Sequence, residues 1–187
     1  DAWKQGGGTV WHTPAVDREL GLLYFSTGNP GPDFNGAVRG GDNLYTASIV
    51  AIEARSGKYR WHFQEVHHDI WDYDAPNPIV LFEAEYNGVM RKGLSQISKS
   101  GYLFILDRTT GQGLTPIIDT PVPQLEEQFT AATQPIPQGD SMINHCIDQA
   151  PEGWTLVNNG CTYTPFGREP VLYAPLSGSN WQPTAYD

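Results

Sequence analysis

The sequence has few basic residues and no long apolar run, and each of these absences disfavours one class of function. Eleven Lys and Arg side chains stand against 21 Asp and Glu among 187 residues, which gives a net charge of −10 at pH 7. Nucleic-acid-binding domains carry basic patches, so nucleic acid is not expected as a partner. No apolar run reaches the roughly 18 residues of a membrane-spanning helix. The first residues lack a basic segment followed by an apolar one, and we expect any signal peptide to have been removed.

Cysteine is also scarce, since Cys146 and Cys161 are the only two in the sequence. Two cysteines could form one disulfide, remain free thiols or contribute to a metal site. Their spacing lacks the C-x-x-C half-site typical of zinc ligands, which disfavours zinc. A disulfide is favoured if the protein is exported to an oxidising compartment.

Glycine, proline and aromatic residues are abundant and indicate a folded, turn-rich β protein. There are 20 Gly, 15 Pro, six Trp and nine Tyr, and this aromatic content offers enough apolar surface to argue against disorder. Strand-length apolar runs recur with turn residues between them, and no long 3.6-residue apolar stripe is present. The predicted strands are 9–16, 21–27, 45–52, 59–66, 78–84, 94–98 and 102–106. The chain is therefore predicted to be all-β, with short antiparallel hairpins.

The last third of the chain has a different pattern. Residues 115–153 are rich in proline and poor in alternating runs, which predicts a long Pro-rich loop. Strand character returns at 154–157 and 171–174, and a turn is expected at 176–181.

A weak internal repeat points to a radial architecture. Residues 51–61 contain a strand, a Ser-Gly turn and a second strand with Trp61, and residues 105–112 repeat the first half. Glycine-centred repeats with a period of about 50 residues are typical of the four-stranded blades of β-propellers. The chain would then cover about three blades. An open sector leaves unpaired sheet edges, so we expect further blades from the same or another chain.

Four motifs closely resemble those of the pyrroloquinoline quinone (PQQ)-dependent alcohol dehydrogenases. They are GGTVW at 7–11, STGNP at 26–30, RGGDNLY at 39–45 and HDIWDYD at 68–74, in the order and spacing of that family. The resemblance implies a quinoprotein β-propeller of four-stranded antiparallel blades. It also implies PQQ-dependent oxidation of an alcohol to an aldehyde, with hydride passing to the quinone and electrons to a cytochrome or quinone acceptor.

The resemblance assigns cofactor-binding roles to five residues. Trp11 occupies the position where the family stacks an indole on the PQQ ring, and Thr9 matches a residue that hydrogen-bonds the cofactor. Lys99 matches the basic residue that faces the quinone oxygens, where a cation stabilises the reduced ring. Asn180 matches a further hydrogen-bond partner, and Trp181 lies beside it. Judged without the family, the tryptophans could equally pack in a core, Thr9 could be a solvated strand residue and Lys99 an ordinary surface lysine.

A second group of residues is implied to hold a metal ion and to act as base. Asn29 matches a family ligand to a hard cation, in keeping with the preference of calcium for amide and carboxylate oxygens. Asp72 matches the catalytic base, which takes the alcohol proton as hydride leaves. Asp74 matches an additional carboxylate of family members that use a lanthanide, although some quinoprotein sugar dehydrogenases also have an acid here. Calcium and a lanthanide both remain open, and turn formation alone would also explain Asn29 and Asp72.

Other interpretations remain. Residues 65–69 and 121–137 are more similar to quinoprotein glucose dehydrogenases, which makes a sugar or polyol an alternative substrate. A non-catalytic propeller scaffold and a calcium-dependent hydrolase using Asp69, Asp72 and Asp74 are the alternatives from other classes. The resemblance also implies a periplasmic or secreted location, and that a Glu metal ligand and an adjacent-cysteine pair lie outside this sequence. A C-x-x-C-H haem motif is not present.

Three smaller features receive structural interpretations. Trp61 resembles the family's blade-docking tryptophan. His67 and His68 would point to opposite sides of a strand and so make a poor chelate. Arg39 and Asp42 are expected to form a local salt bridge that shapes their loop.

Overall fold

The structure is a computed structural model that describes residue 4, residues 6–172 and residues 178–187, and it confirms the all-β prediction. The described part contains nine strands in three antiparallel sheets and two short 3-10 turns, Gly36–Val38 and Glu126–Gln128. The strands are β1 (Ala15–Asp17), β2 (Leu22–Ser26), β3 (Ser48–Glu53), β4 (Tyr59–Gln64), β5 (Val80–Tyr86), β6 (Val89–Ile97), β7 (Leu103–Asp107), β8 (Ile117–Pro121) and β9 (Thr133–Pro137). No helix in these residues is long and apolar enough to cross a membrane.

The first sheet is a complete four-stranded blade in the order β1-β2-β3-β4. Its register places Tyr24 of β2 opposite Ala51 of β3, and Ala51 opposite Trp61 of β4. Strand β2 alternates buried and partly buried residues, as expected of a strand with one face on the core. The turn between β1 and β2 is fixed by Asp17, whose Oδ1 accepts hydrogen bonds from the backbone N–H groups of Glu19 and Leu20 at 2.9 and 3.0 Å.

The second sheet has three strands in the order β5-β6-β7 and packs against the first. Their shared core contains eight buried side chains, namely Leu22, Tyr24, Ile49, Ala51, Trp61, Ile79, Leu94 and Leu106. Trp61 packs on Gly111 in the turn after β7, where an added Cβ would lie 2.5 Å from the indole ring. Its Nε1 donates a hydrogen bond to Arg108 O at 3.3 Å. The structural role expected for Trp61 is confirmed.

The region after β7 differs from the prediction. Residues 115–153 are not a loop throughout, because β8 and β9 form a two-stranded hairpin inside them. Residues 154–157 are an exposed irregular segment and not a strand. The predicted strand at 171–174 is reduced, within the described residues, to an isolated bridge between Leu172 and Asn159, and its remainder and part of the turn at 176–181 lie outside them. The described residues thus form one complete blade, three strands of a second and a hairpin.

The two cysteines form a disulfide. Cys146 and Cys161 are bonded and also pair as an isolated antiparallel bridge. The free-thiol and metal-site alternatives therefore do not apply to them.

Candidate functional site

Two glycine-containing segments form one wall of the candidate site. The N–H of Gly8 donates to Asn29 O at 2.8 Å, and the N–H of Gly28 donates to Thr9 O at 2.8 Å. Gly7 lies in the left-handed region with φ 91°, and a Cβ there would come within 2.5 Å of Asn29 O. The segments can approach so closely because Gly7 has no side chain. This contact brings Thr9 and Asn29, 20 residues apart in sequence, to neighbouring positions.

The second part of the candidate site is the segment that follows β4, residues 65–74, which we call the acidic loop. Asp69 shapes it, because its Oδ1 accepts a hydrogen bond from the N–H of Trp71 at 2.8 Å. Asp72 takes a left-handed backbone conformation, with φ 63°. The carboxyl groups of Asp69 and Asp74 are buried, whereas the Asp72 side chain is 38% exposed. Of these three aspartates, Asp72 is therefore the one most open to a small molecule.

Lys99 links the acidic loop to the second sheet. It follows β6, and its Nζ lies 3.0 Å from Oδ2 of Asp72 and 2.7 Å from Oδ1 of Asp74. The other oxygen of Asp74 accepts a hydrogen bond from Nε1 of Trp11 at 3.1 Å. Four of the predicted site residues thus form one connected cluster, although the two ends of the Trp11–Asp74 contact are 63 residues apart.

The electrostatics of this cluster follow from its burial and its ion pairs. Burial lowers the pKa of Lys99, but the carboxylates of Asp74 and Asp72 outweigh it and raise that pKa above its usual value. Lys99 is therefore a cation at neutral pH. Burial raises the pKa of Asp72, Lys99 opposes this, and the negative charges of Asp74 and Asp33 add to it. A carboxylate with a raised pKa is a stronger proton acceptor than an ordinary aspartate.

Asp33 belongs to the site and was not predicted. Its Oδ1 accepts a hydrogen bond from Nδ2 of Asn29 at 2.8 Å, and its charge reaches Asp72. The amide nitrogen of Asn29 faces Asp33 and also lies 3.4 Å from Pro30 O. The available signal was a carboxylate four residues after Asn29 in the same Gly-Pro turn, but turn residues of this type are common on surfaces.

The residues present fit a hard cation, but they supply only part of its coordination shell. Within the described part of the chain, no group of three or more His, Cys, Asp or Glu side chains is placed to hold a metal ion. The candidate donors are the amide oxygen of Asn29 and the carboxylates of Asp72 and Asp74, all of which are oxygen ligands suited to calcium or similar ions. Such ions take about six to eight oxygens. A cation that used Asp74 would compete with Lys99 or Trp11, since both of its oxygens are engaged.

The predicted cofactor residues near the end of the chain lie beside Lys99. The N–H of Gly178 donates to Lys99 O at 2.7 Å. Asn77 then holds the next residues in place, because its Nδ2 donates to Asn180 O at 2.8 Å. Asn180 itself is half-buried, while Trp181 is 58% exposed. Their roles toward a cofactor stay predictions.

Trp11 and Thr9 are both accessible. Trp11 is 48% exposed, so it is not a core residue, and Thr9 is exposed as well. An exposed indole next to a buried ion pair is an arrangement on which a flat, polar ring could stack. The stacking and hydrogen-bonding roles of these residues stay predictions.

Two further carboxyl groups of the acidic loop, those of Glu65 and Asp69, are buried. Burial raises the pKa of Glu65 well above its ordinary value, and the nearby charge of Asp74 adds to the effect. Burial also raises the pKa of Asp69 to about 7, against hydrogen bonds from the backbone of Trp71 and Tyr73. Asp69 is fully buried and caps the acidic loop, which disfavours it as one of the three carboxylates of a hydrolase.

The predicted salt bridge between Arg39 and Asp42 is wrong. The buried guanidinium of Arg39 contacts no carboxylate of Asp42 and instead donates to Oδ1 of Asn43 at 2.5 Å and to Asp69 O at 2.7 Å. It thereby ties its own loop to the acidic loop. His67 and His68 also lie in that loop rather than on a strand.

The sequence is similar to those of known dehydrogenases. The family model described as PQQ: Glucose/ethanol/alcohol dehydrogenase, beta-propeller domain, matches residues 1–187. The chain is 45% identical over 114 residues to a quinohemoprotein alcohol dehydrogenase of Comamonas testosteroni, covering 59% of this chain and 16% of that protein. It is 44% identical over 112 residues to subunit 1 of the methanol dehydrogenase [cytochrome c] of Paracoccus denitrificans, covering 59% and 18%.

Solved structures give the same result. The crystal structure of the quinohemoprotein alcohol dehydrogenase from Comamonas testosteroni matches with a TM-score of 0.59 and 37% identity, over 73% of this chain and 21% of that one. A europium-containing methanol dehydrogenase matches with a TM-score of 0.59 and 31% identity, over 74% and 24%. The chain therefore spans less than a quarter of the length of these relatives.

Proposed function

Because the chain belongs to the family of PQQ-dependent glucose, ethanol and alcohol dehydrogenase β-propellers, we propose that it forms part of an enzyme that oxidises an alcohol to an aldehyde. The observation that carries the proposal is the cluster in which Lys99 pairs with Asp72 and Asp74 while Trp11 donates to Asp74. A propeller that served only as a scaffold would gain little from this half-buried arrangement of charges beside an exposed indole.

In the proposed reaction, the alcohol loses a proton from its hydroxyl group and a hydride from the adjacent carbon. Bound PQQ supplies the hydride acceptor. The carboxylate of Asp72 takes the proton, a role that its raised pKa and its partial exposure favour. Lys99 holds Oδ2 of Asp72 at 3.0 Å, and its positive charge would stabilise a bound quinone in its reduced form.

The remaining site residues are proposed to bind and orient the cofactor. Trp11 offers the face of its ring and is held in place by its hydrogen bond to Asp74. Thr9 and Asn180 are proposed to provide polar groups that hydrogen-bond the cofactor. Trp181 is exposed beside Asn180 and could pack on the edge of a bound ring.

A calcium or lanthanide ion is the proposed metal, with Asn29, Asp72 and Asp74 as ligands from this chain. The oxygen-only donor set supports this assignment. The europium-containing relative gives the lanthanide alternative its support. The number of donors here is smaller than such an ion needs, so the other ligands are proposed to come from further blades.

Partners and location are proposed on similar grounds. One relative is named as a quinohemoprotein and another as linked to cytochrome c, which supports a cytochrome as electron acceptor, with a quinone as alternative. The Cys146–Cys161 disulfide supports a periplasmic or secreted location, where disulfides persist. A sugar or polyol is the alternative substrate class.

The test uses the protein as its native source produces it, loaded with PQQ and metal. Dye-linked oxidation is measured with primary alcohols, glucose and polyols for the wild type and for Asp72→Asn. We expect Asp72→Asn to abolish oxidation while PQQ stays bound. Asp119→Asn, at an exposed position in β8, is the matched control and should retain full activity. Undiminished turnover by Asp72→Asn would remove Asp72 from the role of base.

A further inference from the structure

The β8–β9 hairpin holds the start of the acidic loop by a two-point contact. The side chain of Gln134, on β9, is fully buried. Its Oε1 accepts a hydrogen bond from the N–H of His67 at 2.8 Å, and its Nε2 donates to His67 O at 2.7 Å. One amide side chain therefore satisfies both backbone groups of His67. Such a paired contact fixes the orientation of the backbone as well as its position.

The turn at the tip of the hairpin makes a second contact with the same loop. The ring of His68 is buried, with Nδ1 2.6 Å from Gly41 O and Nε2 2.7 Å from Gln128 O. Oε1 of Gln128 accepts a hydrogen bond from the N–H of Gly36 at 2.7 Å. A Cβ on Gly36 would lie 2.3 Å from Nε2 of His68. The hairpin tip, the acidic loop and the Gly36 turn are thus packed together without space for a larger residue.

Apolar packing joins the hairpin to the acidic loop as well. Val66, Ile70 and Trp71 of the loop belong to a buried cluster that is separate from the core between the two large sheets. Val122 and Ile136, from the hairpin region, pack against that cluster. The acidic loop therefore rests on the hairpin, while its other end carries Asp72 and Asp74.

We propose that the β8–β9 hairpin is a clamp that sets the position of the acidic loop, and that Gln134 is a positioning residue for Asp72. The effect on catalysis rests on the proposed function, but the effect on the loop does not. Gln134 itself contacts His67, five residues before Asp72, and so acts through the backbone. A displacement of about 1 Å at a reacting group can reduce the rate ~100-fold. Loss of the clamp should therefore lower kcat and leave KM for the alcohol nearly unchanged.

The test compares Gln134→Met with Gln124→Met in the full native-source protein, loaded with PQQ and metal. Gln124 is the matched control, because its Nε2 makes two hydrogen bonds of 2.8 Å within the hairpin region, to Val122 O and Ala131 O. Amide hydrogen exchange over residues 66–74 reports on the loop, and steady-state kinetics report on the reaction. For Gln134→Met we expect at least tenfold faster exchange in this segment, and a kcat reduced roughly 10- to 100-fold. Gln124→Met should leave both unchanged.

Two results would overturn the clamp. One is wild-type exchange over residues 66–74 in Gln134→Met, and the other is equal acceleration of exchange in Gln124→Met. If Gln134→Met does not fold, Gln134→Asn decides the question, because it keeps the neutral amide but is one methylene too short to make both hydrogen bonds to His67. Its exchange should be intermediate, and wild-type exchange would again contradict the proposal. If the wild type oxidises no alcohol, the proposed function fails. The hydrogen-exchange comparison still tests whether Gln134 holds the acidic loop.

Discussion

The ammonium group of Lys99 lies 3.0 Å from Oδ2 of Asp72, so the proposed cofactor-facing cation and the proposed base are partners in one ion pair. Lys99 lowers the pKa of Asp72 by this contact, in opposition to burial. A change at either residue therefore alters the other. This coupling gives the site a dependence on pH that can be measured.

Replacement of Lys99 by Met should have two effects. Loss of a charge placed to stabilise the reduced ring should lower kcat ~100-fold or more. The pKa of Asp72 should also rise, because Lys99 no longer favours its charged form. Since the base works deprotonated, the acid limb of the kcat/KM profile should move to higher pH. Lys92 lies on β6 and pairs with Glu19. Its replacement in Lys92→Met should leave the acid limb of the kcat/KM profile at the wild-type pH. An acid limb unchanged in Lys99→Met would show that Asp72 does not control it.

Replacement of Asp33 by Asn should move the same limb in the opposite direction. The negative charge of Asp33 raises the pKa of Asp72, so its removal lowers that pKa. Activity should then persist to lower pH than in the wild type. Asn at position 33 can still accept the hydrogen bond from Asn29, which keeps the turn intact. The same kcat/KM profiles test this, and a shift to higher pH would contradict the assignment of charges.

The stability of the fold should depend on pH through Asp69. Its pKa in the folded protein is about 7, raised from an ordinary 3.8 mainly by burial. The folded state therefore binds the proton more tightly than the unfolded state, and stability is lost as pH rises between these two values. Asp69→Asn keeps an acceptor for Trp71 and removes the titration, so the fall in Tm between pH 3.8 and about 7 should become shallower. Glu65 should preserve part of the slope. An identical slope in Asp69→Asn would exclude Asp69 as a source, and Asp119→Asn is the exposed control.

The contact between the β1–β4 sheet and the β5–β7 sheet should depend on Arg108. Its Nε donates to Oδ2 of Asp17 at 2.7 Å and its Nη1 to Phe82 O at 2.6 Å, and both members of the ion pair are buried. Removal of one partner of a buried pair leaves an uncompensated charge, which costs roughly 3–5 kcal/mol. Arg108→Met should lower the unfolding free energy by about this amount, measured by guanidinium titration. Arg60→Met, at an exposed pair with Glu53, should change it little. Equal midpoints for Arg108→Met and the wild type would contradict the account.

The sequence predicted the strands best where the alternation is local. Strand β2 lies within the predicted segment 21–27, because its residues alternate between buried and partly buried at the period of a strand with one buried face. Strand β3 overlaps the predicted segment 45–52 and extends one residue beyond it. The β8–β9 hairpin was missed because Pro121, Pro135 and Pro137 lie in its strands. Proline cannot donate to a sheet and normally argues against a strand, but a two-stranded hairpin has two edges where it is tolerated.

The candidate site could likewise be predicted only in part from the sequence. Its residue types could be identified because they stand in short motifs that resemble a known family. The contacts between those residues could not, because they join distant segments, as Trp11 and Asp74 show. Asp33 and Gln134 had no motif and acquire their roles from what the fold brings next to them.

The central claim is that the protein containing this chain is a quinoprotein. The most direct test is mass spectrometry of the small molecules released when the folded, native-source protein is denatured. The account predicts PQQ in an amount close to one molecule per chain. A folded protein that releases no PQQ, and binds none when PQQ and calcium or a lanthanide are added, would contradict it.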